Sequence, residues 1–239
     1  MEIEYLTMSE QGQRNYNEDA LLADTDNGIF MVCDGVGGSN RGDIASKKAC
    51  EYFSDYVIRQ NEVSEIVLEQ ALVETEMKFD EYTSGFPEAK GMATTLTFLK
   101  ITPQGAIAGH IGDSRIYQIR NGEIIFMTQD HSFVNELVAS GFLTEEEAVN
   151  HPKKNQITRA IQGSESSTLI DFGHIESIEK NDFFMLCSDG ILEGIDKDWI
   201  SENFKSKFEL SAIEKGIREN CAEKSNDNYT AILIKITEI

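Results

Sequence analysis

Basic residues and prolines are scarce in this sequence of 239 residues. It contains 21 Lys and Arg against 42 Asp and Glu, which gives a formal net charge of −21, and it contains only 3 prolines. A protein with this excess of negative charge repels nucleic-acid backbones and anionic lipid surfaces, whereas nucleic-acid binders attract phosphates with basic patches. We therefore expect neither a nucleic acid nor a membrane surface as a partner.

Long apolar segments and paired cysteines are also missing. Nowhere do about 18 apolar residues follow one another, as a membrane-spanning helix requires, and residues 1–12 have neither a basic start nor the apolar core of a signal peptide. The 4 cysteines form no Cys-x-x-Cys pair, and Cys33 and Cys187 lie in apolar runs, where a thiol behaves as a small hydrophobic residue. We expect a cytoplasmic protein without a disulfide framework or a zinc site.

The spacing of apolar residues predicts a mixture of short strands and helices. Helices are expected over 42–60, where apolar residues recur every three or four positions, and over 62–82, which lacks Gly and Pro. Ser211 is the expected N-cap of a later helix, and Asn121-Gly122 is typical of a two-residue hairpin turn. Strands are predicted over 3–9, 20–25, 29–33, 94–101, 106–111, 115–120, 123–127, 169–174, 183–188 and 229–236.

This order of elements predicts the fold class. Many strands with hairpin connections and blocks of helices favour two sheets packed face to face and covered by helices, rather than a regular alternation of strand and helix. We predict an α+β fold, a four-layer α-β-β-α sandwich with two mainly antiparallel sheets, in a single domain over 1–239. The polar, helical segment 132–156 is predicted to be a flap subdomain that gates or selects substrates.

Acidic residues stand where predicted strands end or begin. Three apolar strands run directly into an acid, and two others start just after acids. Since the exit of one antiparallel strand and the entry of its neighbour lie at the same edge, we expect these acids to meet beside the core. The six carboxylates are those of Glu18, Asp19, Asp34, Asp113, Asp189 and Asp227.

Six crowded carboxylates are typical of a divalent-cation site. Close carboxylates repel one another, whereas Mg²⁺ or Mn²⁺ prefers oxygen ligands and removes that cost. An oxygen-only set without nearby His or Cys argues against zinc. Taken singly, each motif has an alternative explanation, because Asp-Gly and Asp-Asn are common turn sequences at strand ends.

The order of these motifs resembles that of the PPM, or type 2C, protein phosphatases, in particular the compact bacterial members. The resemblance extends over residues 12–230. The matching motifs are Arg14-x-x-Asn17-Glu18-Asp19, Asp34-Gly35-Val36-Gly37-Gly38, Gly91-Met92-Ala93-Thr94-Thr95, Gly112-Asp113-Ser114-Arg115, Ser188-Asp189-Gly190 and Asp227-Asn228.

The resemblance implies a binuclear Mn²⁺ or Mg²⁺ centre. Asp34 would bridge the two ions, Asp189 and Asp227 would hold the first, and the Gly35 carbonyl would hold the second. Asp113 would complete a third cation site with Asp189. The remaining two acids, Glu18 and Asp19, would act through metal-bound waters. A water shared by two cations loses a proton near neutral pH, while the ions clamp the phosphoryl oxygens for in-line attack.

Three further residues bear on the reaction. Arg14 is the expected phosphate clamp, because a guanidinium presents paired donors to two phosphoryl oxygens; the alternative is a surface salt bridge. Eukaryotic members carry a histidine at the position of Val36, so the acid for the leaving group is unassigned here. His131 is a candidate, although a lone histidine is more often a hydrogen-bonded structural residue.

Other phosphatase chemistries find no support in the sequence. No cysteine has an arginine six positions later, no Asp-x-Asp-x-Thr occurs, and there is no phosphate-binding glycine loop of the G-x-x-x-x-G-K-[ST] type. The alternative that remains is a catalytically inactive member that binds phosphorylated partners. We expect phosphorylated proteins as partners, among them a serine/threonine kinase and its substrates, and we expect a monomer.

Overall fold

Ten strands and seven helices make up the computed structural model, which describes residues 1–36 and 41–239. Gly37 and Gly38 of the predicted glycine-rich motif lie outside the described residues. The strands are β1 (Glu2–Glu10), β2 (Asp19–Asp24), β3 (Ile29–Asp34), β4 (Leu96–Thr102), β5 (Gly105–Ile111), β6 (Arg115–Arg120), β7 (Glu123–Met127), β8 (Asp171–Ile175), β9 (Asp182–Cys187) and β10 (Tyr229–Glu238). The helices are α1 (Gly42–Ile58), α2 (Glu65–Gly85), α3 (Phe133–Ala139), α4 (Glu145–Val149), α5 (Asp189–Gly194), α6 (Lys197–Asn203) and α7 (Leu210–Lys224).

The strands form two five-stranded sheets in which the neighbours are antiparallel. One sheet has the order β1-β10-β9-β6-β7 and the other has the order β2-β3-β4-β5-β8. Helices α1 and α2 cover the second sheet, and α5 and α7 pack beside the first. The predicted α+β sandwich of four layers is therefore confirmed.

Alternating side chains along each strand fill different layers. Phe30 and Val32 of β3 pack between the two sheets, against Leu186 and Ile232 of the opposite sheet. Met31, which lies between them in sequence, points to the other face and packs under α1 and α2. All five side chains are fully buried, and burial of each stabilises the fold by about 1.5–3 kcal/mol. Period-two burial in the central strands thus produces three separate cores.

The structure corrects one capping prediction. Helix α7 begins at Leu210, with Glu209 at the N-cap position, so Ser211 lies inside the first turn and is not the cap. Leu210 is fully buried in the core beneath α7, and this packing places the start of the helix before Ser211. No helix in the described part of the chain is long and apolar enough to cross a membrane.

The segment predicted as a flap leaves the fold and returns to it at one point. It contains the short helices α3 and α4, and its ends are joined by the hydrogen bond from Phe133 N–H to the carbonyl of Gln156, at 2.8 Å. A capping box between Thr144 and Glu147 starts α4. The gating role of this segment stays a prediction.

Candidate active site

Two of the predicted site residues face each other across neighbouring strands. Asp19 begins β2 and Asp34 ends β3, and the antiparallel register pairs these two residues directly. The backbone N–H of Gly35 donates to the carbonyl of Glu18 at 3.1 Å, which continues the pairing beyond the strands. Strand register therefore brings the first two acidic motifs together, as expected from the sequence.

Two threonines fix the backbone of Asp34. The Asp34 N–H donates to Thr95 Oγ1 at 2.9 Å, and its carbonyl accepts from Thr94 Oγ1 at 2.8 Å and from Thr95 N–H at 2.8 Å. Both threonines are buried. The motif Gly91–Thr95 thus orients the Asp34 residue. The sequence pattern of Gly91–Thr95 did not indicate this role, because the motif stood out only through its family resemblance.

A buried serine joins the acids of the two sheets. Ser188 Oγ donates to Asp19 Oδ2 at 2.8 Å and accepts the Thr230 N–H at 3.0 Å, while the Ser188 N–H donates to the Thr230 carbonyl at 3.0 Å. Asp189 follows as the first residue of α5. Asp189 and Asp34 are close enough for each to influence the pKa of the other. Acids from both sheets therefore share one edge of the sandwich.

Asp227 is engaged by the predicted phosphate clamp. Arg14 Nε lies 2.8 Å from Asp227 Oδ1, and Arg14 Nη2 lies 2.5 Å from Asp227 Oδ2, a two-point contact. The Arg14 side chain is 53% exposed, so the guanidinium remains accessible from solvent. The arginine therefore lies at the acidic cluster, and in this structure its partner is a carboxylate of that cluster.

Asn228 holds the N-terminal loop that carries Glu18. Its Oδ1 accepts the Glu18 N–H at 2.9 Å, and its Nδ2 donates to the carbonyls of Gln11 and Tyr16 at 2.7 and 2.8 Å. The Glu18 carboxylate receives a hydrogen bond from the backbone of Gly42, at the start of α1, where the helix dipole favours negative charge. The second residue of the Asp-Asn motif thus has a positioning role.

Close backbone approach explains two of the glycines. A Cβ on Gly35 would lie 2.4 Å from the carbonyl oxygen of Gly42 and 2.8 Å from that of Glu18. A Cβ on Gly190 would lie 2.0 Å from the carbonyl oxygen of Asn228. Side chains at these positions would force apart the loops that carry the acids.

Asp113 lies on the loop that connects the two sheets. This loop, Gly112–Ser114, follows β5 of one sheet and precedes β6 of the other. The hydroxyls of Ser114 and Thr95 are hydrogen-bonded at 2.7 Å, which ties the Asp113 loop to the residue that orients Asp34. Asp113 is half-buried.

The acids strongly perturb one another. Burial is the main cause that raises the pKa of Asp34 well above its usual range, and the charges of Asp19 and Asp189 add to this. Burial raises the pKa of Asp19 to about 7 and that of Asp189 to about 6, in each case with contributions from neighbouring acids. Burial, followed by the charge of Asp189, raises the pKa of Asp113 to about 7. A nearby cation would lower these pKa values and favour the ionised carboxylates.

Two carboxylate oxygens support a fit to a cation. Among residues 1–36 and 41–239, Asp19 Oδ1 and Asp189 Oδ1 are buried and have no hydrogen-bond partner. Such oxygens are costly unless another group satisfies them, and carboxylates are ligands that Mg²⁺ and Mn²⁺ prefer. In the same ranges, however, no three His, Cys, Asp or Glu side chains form a ready ligand set for one ion. The donor chemistry therefore fits, while the ligand assignment stays a prediction.

His131 has structural hydrogen bonds rather than a free ring. Its Nδ1 accepts the Gly112 N–H at 3.1 Å, and its Nε2 lies 3.0 Å from Asp171 Oδ2. Burial lowers the pKa of His131 and lowers that of the adjacent His110 to about 3. These contacts favour the structural interpretation of His131 over the catalytic one.

Comparisons with known proteins agree with this geometry. A family model described as Protein phosphatase 2C matches residues 9–220. The serine/threonine phosphatase stp of Listeria monocytogenes is 32% identical over 231 residues, which cover 93% of this chain and 91% of that protein. The structure of the serine/threonine phosphatase Stp1 from Staphylococcus aureus matches with a TM-score of 0.88 and 27% identity, over 100% of this chain and 96% of that one. The catalytic domain of the protein phosphatase PstP, solved in complex with 2 manganese ions, matches with a TM-score of 0.81 and 26% identity, over 99% of each chain.

The two antiparallel sheets flanked by helices are thus the fold of the bacterial PPM phosphatases. The chain belongs to the protein phosphatase 2C family and is a protein-serine/threonine phosphatase.

Proposed function

We propose that this protein hydrolyses phosphoserine and phosphothreonine in other proteins by a metal-dependent mechanism that uses the carboxylates around Asp34. The observation that carries the proposal is the convergence of Asp19, Asp34, Asp189 and Asp227 at one edge of the sandwich, with pKa values raised by burial in the first three. Carboxylates that disfavour ionisation in isolation are suited to a divalent cation.

Four residues would hold the two principal cations. Asp34 and the Gly35 carbonyl would hold two Mn²⁺ or Mg²⁺ ions together with Asp189 and Asp227. When bound, the ions supply an activated water near neutral pH and neutralise phosphoryl charge, so no covalent enzyme intermediate is needed. Manganese in the PstP relative supports this choice of cation. Asp113 would contribute to a third ion.

Glu18 and Asp19 would act through waters rather than by contacting the cations directly. Glu18 is held at the start of α1 and Asp19 by Ser188. Both carboxylates would orient waters at the cation site. The unpartnered Asp19 Oδ1 described above supports this role.

Arg14 would bind the phosphoryl group of the substrate. Its guanidinium is exposed, lies at the acidic edge and already forms a two-point contact with the two oxygens of Asp227. A phosphoryl group offers the same pair of oxygens, and Arg14 would exchange one partner for the other when Asp227 holds a cation.

The leaving serine or threonine oxygen needs a proton, and the apolar side chain of Val36 cannot supply one. The backbone N–H of Val36 donates to the carbonyl of Ala93 at 3.0 Å. A water held at the cation site would supply this proton instead. His131 is unsuited because burial lowers the pKa of its ring and both ring nitrogens have partners.

The substrates are proposed to be phosphoproteins of a bacterial serine/threonine kinase system, including the kinase itself. The serine/threonine phosphatase relatives support phosphoprotein substrates. The protein would act in the cytoplasm as a monomer. Its charge of −21 favours partners with a basic surface near the phosphorylated residue.

A phosphothreonine peptide tests the proposal. Phosphate release is expected with Mn²⁺, to fall to background when a chelator is added and to be lost in Asp34→Ala. Asp55→Ala is the matched control, because Asp55 is an exposed acid on α1 away from the strand ends, and its activity should equal that of the wild type. Turnover no higher in the wild type than in Asp34→Ala would instead favour a phosphoprotein-binding role.

A further inference from the structure

His131 fixes the backbone of the residue before Asp113 from both sides. The His131 N–H donates to the Gly112 carbonyl at 2.8 Å, and the Gly112 N–H donates to His131 Nδ1 at 3.1 Å. Gly112 has a φ of +102°, a conformation that other residues rarely adopt. The direction in which the chain enters Asp113 is therefore set by a pair of hydrogen bonds to one buried histidine.

The same histidine lies at the base of the segment 132–156. Its carbonyl accepts the Thr158 N–H at 2.8 Å. The neighbouring residues Ser132 and Ile157 form an isolated antiparallel bridge. His131 therefore contacts the Asp113 loop and lies where the chain enters and leaves the flap segment.

The imidazole ring is held in one tautomer and one orientation. Because Nδ1 accepts an amide N–H, the ring proton lies on Nε2, which donates to Asp171 Oδ2 at 3.0 Å. Arg159 Nη1 holds the other oxygen of Asp171 at 2.6 Å. The face of the ring packs on His110, with centroids 4.6 Å apart. Asp171 thus acts on Gly112 through the histidine ring.

We propose that His131 is a positioning residue that orients Asp113 through Gly112 and couples the third cation site to the base of the flap segment. This inference rests on the proposed function, in which Asp113 contributes to the third ion. Loss of a hydrogen-bonding partner behind a metal ligand typically weakens metal affinity by about 10- to 100-fold. A histidine that only stabilised the fold would leave the affinity of this site unchanged.

Two substitutions separate the two ends of the ring. In His131→Asn, the side-chain amide oxygen reaches the position of Nδ1 and can accept the Gly112 N–H, but the side chain is too short for Asp171. In His131→Gln, the amide nitrogen reaches the position of Nε2 and can donate to Asp171, but the Gly112 N–H loses its acceptor. His174→Gln is the matched control, because His174 is exposed and pairs with Glu65 away from this cluster.

Calorimetric titration of the metal-free full-length variants with Mn²⁺ measures the affinity of the weakest site directly. His131→Gln is expected to weaken that site about 10-fold. His131→Asn keeps the Gly112 contact but loses Asp171 and should weaken the site only about threefold, while His174→Gln keeps wild-type affinity. In an Asp113→Ala background, His131→Gln is expected to cause no further loss, since the effect passes through Asp113. Unchanged Mn²⁺ binding in His131→Gln, or an equal loss in the Asp113→Ala background, would overturn the proposal.

Asp171→Ala provides a second variant if His131→Gln does not fold. Asp171 has a side chain that is 57% exposed, and its loss should free the ring and weaken the same site about threefold. A wild-type protein with only two Mn²⁺ sites and normal turnover would contradict this inference alone. A wild type without Mn²⁺-dependent turnover would contradict the proposed function.

Discussion

Individual hydroxyl groups hold the residues and loops that carry the carboxylates of the site. Thr95 orients Asp34, Ser188 binds Asp19, and Ser114 links the Asp113 loop to Thr95. The sequence predicted the acids because each one ends or begins an apolar strand. It did not predict the hydroxyls, because hydrogen bonding between residues 61 or 169 positions apart depends on strand register that no local pattern contains.

Replacement of Thr95 tests this positioning. Thr95→Val leaves the part-buried Asp34 N–H without its acceptor, so we expect a loss of about 1–3 kcal/mol in the free energy of unfolding, measured by urea denaturation. We also expect weaker Mn²⁺ binding, because the Asp34 backbone is no longer fixed. Thr95→Ser should retain most of both properties.

Thr97 provides the matched control for Thr95→Val. Thr97 lies two residues after Thr95, and its hydroxyl makes the same kind of hydrogen bond. It accepts the buried Val32 N–H at 3.0 Å. Thr97→Val should lower stability to a similar extent and leave Mn²⁺ affinity unchanged. Equal Mn²⁺ affinities in the Thr95 and Thr97 variants would contradict the positioning role of Thr95.

The central strands and α1 were predicted well, whereas two short helices were missed. The strand β6 over 115–120, for example, was predicted to the residue, and α1 was predicted to within two residues of its end. Helices α5 and α6 contain only 6 and 7 residues, too few for an apolar period to emerge, and were missed. Their formation depends on packing of Ile191 and Ile200 into the core under α7.

Deletion of residues 133–155 tests the flap prediction at the level of the element. Because Ser132 and Ile157, which remain, pair in an antiparallel bridge, a short Gly-Ser linker can close the gap without distorting the core. We expect turnover of a small aryl phosphate to change less than turnover of a phosphoprotein, which needs a larger contact surface. Unchanged rates on both substrates would show that the segment neither gates nor selects.

A point substitution refines the same test. Phe142 is 78% exposed between α3 and α4, and exposed aromatic side chains are enriched where proteins bind partners. Phe142→Ala should raise KM for the phosphoprotein and leave the aryl phosphate unaffected. Leu169→Ala is the matched control, because Leu169 is 73% exposed but lies outside the flap segment.

The buried acids of the site affect how the stability of the whole molecule depends on pH. The fold and the meeting of the acids could be predicted from the sequence, because strand ends determine both. The raised pKa values could not, because they depend on burial. Asp19 and Asp113 have pKa values of about 7 and Asp189 of about 6, against roughly 3.9 for an unfolded Asp. At these acids and Asp34 the metal-free folded protein therefore binds more protons than the unfolded chain between about pH 4 and pH 7, and they outnumber His110 and His131, whose lowered pKa values act in the opposite direction.

It follows that stability without metal should fall as the pH rises through this window. The sign follows from linkage, because the state that binds more protons is favoured at low pH. Urea unfolding with chelator at pH 4.5, 5.5 and 7, in high salt to screen surface repulsion, measures the trend. Addition of Mn²⁺ at pH 7 should restore stability, since the ion binds only the folded state. A stability that rises with pH in the chelated protein would contradict the assigned carboxylate environments.

The carboxylates of the site are divided between two sheets. Asp19 and Asp34 belong to one sheet, and Asp189 and Asp227 flank strands of the other, so the side chains sandwiched between the sheets act as the spacer that sets the span of the site. The separation of the two pairs of acids therefore depends on the packing of Phe30, Val32, Leu186 and Ile232. A repacked interior of altered thickness would still fold, yet it would mistune the distance on which phosphate hydrolysis depends.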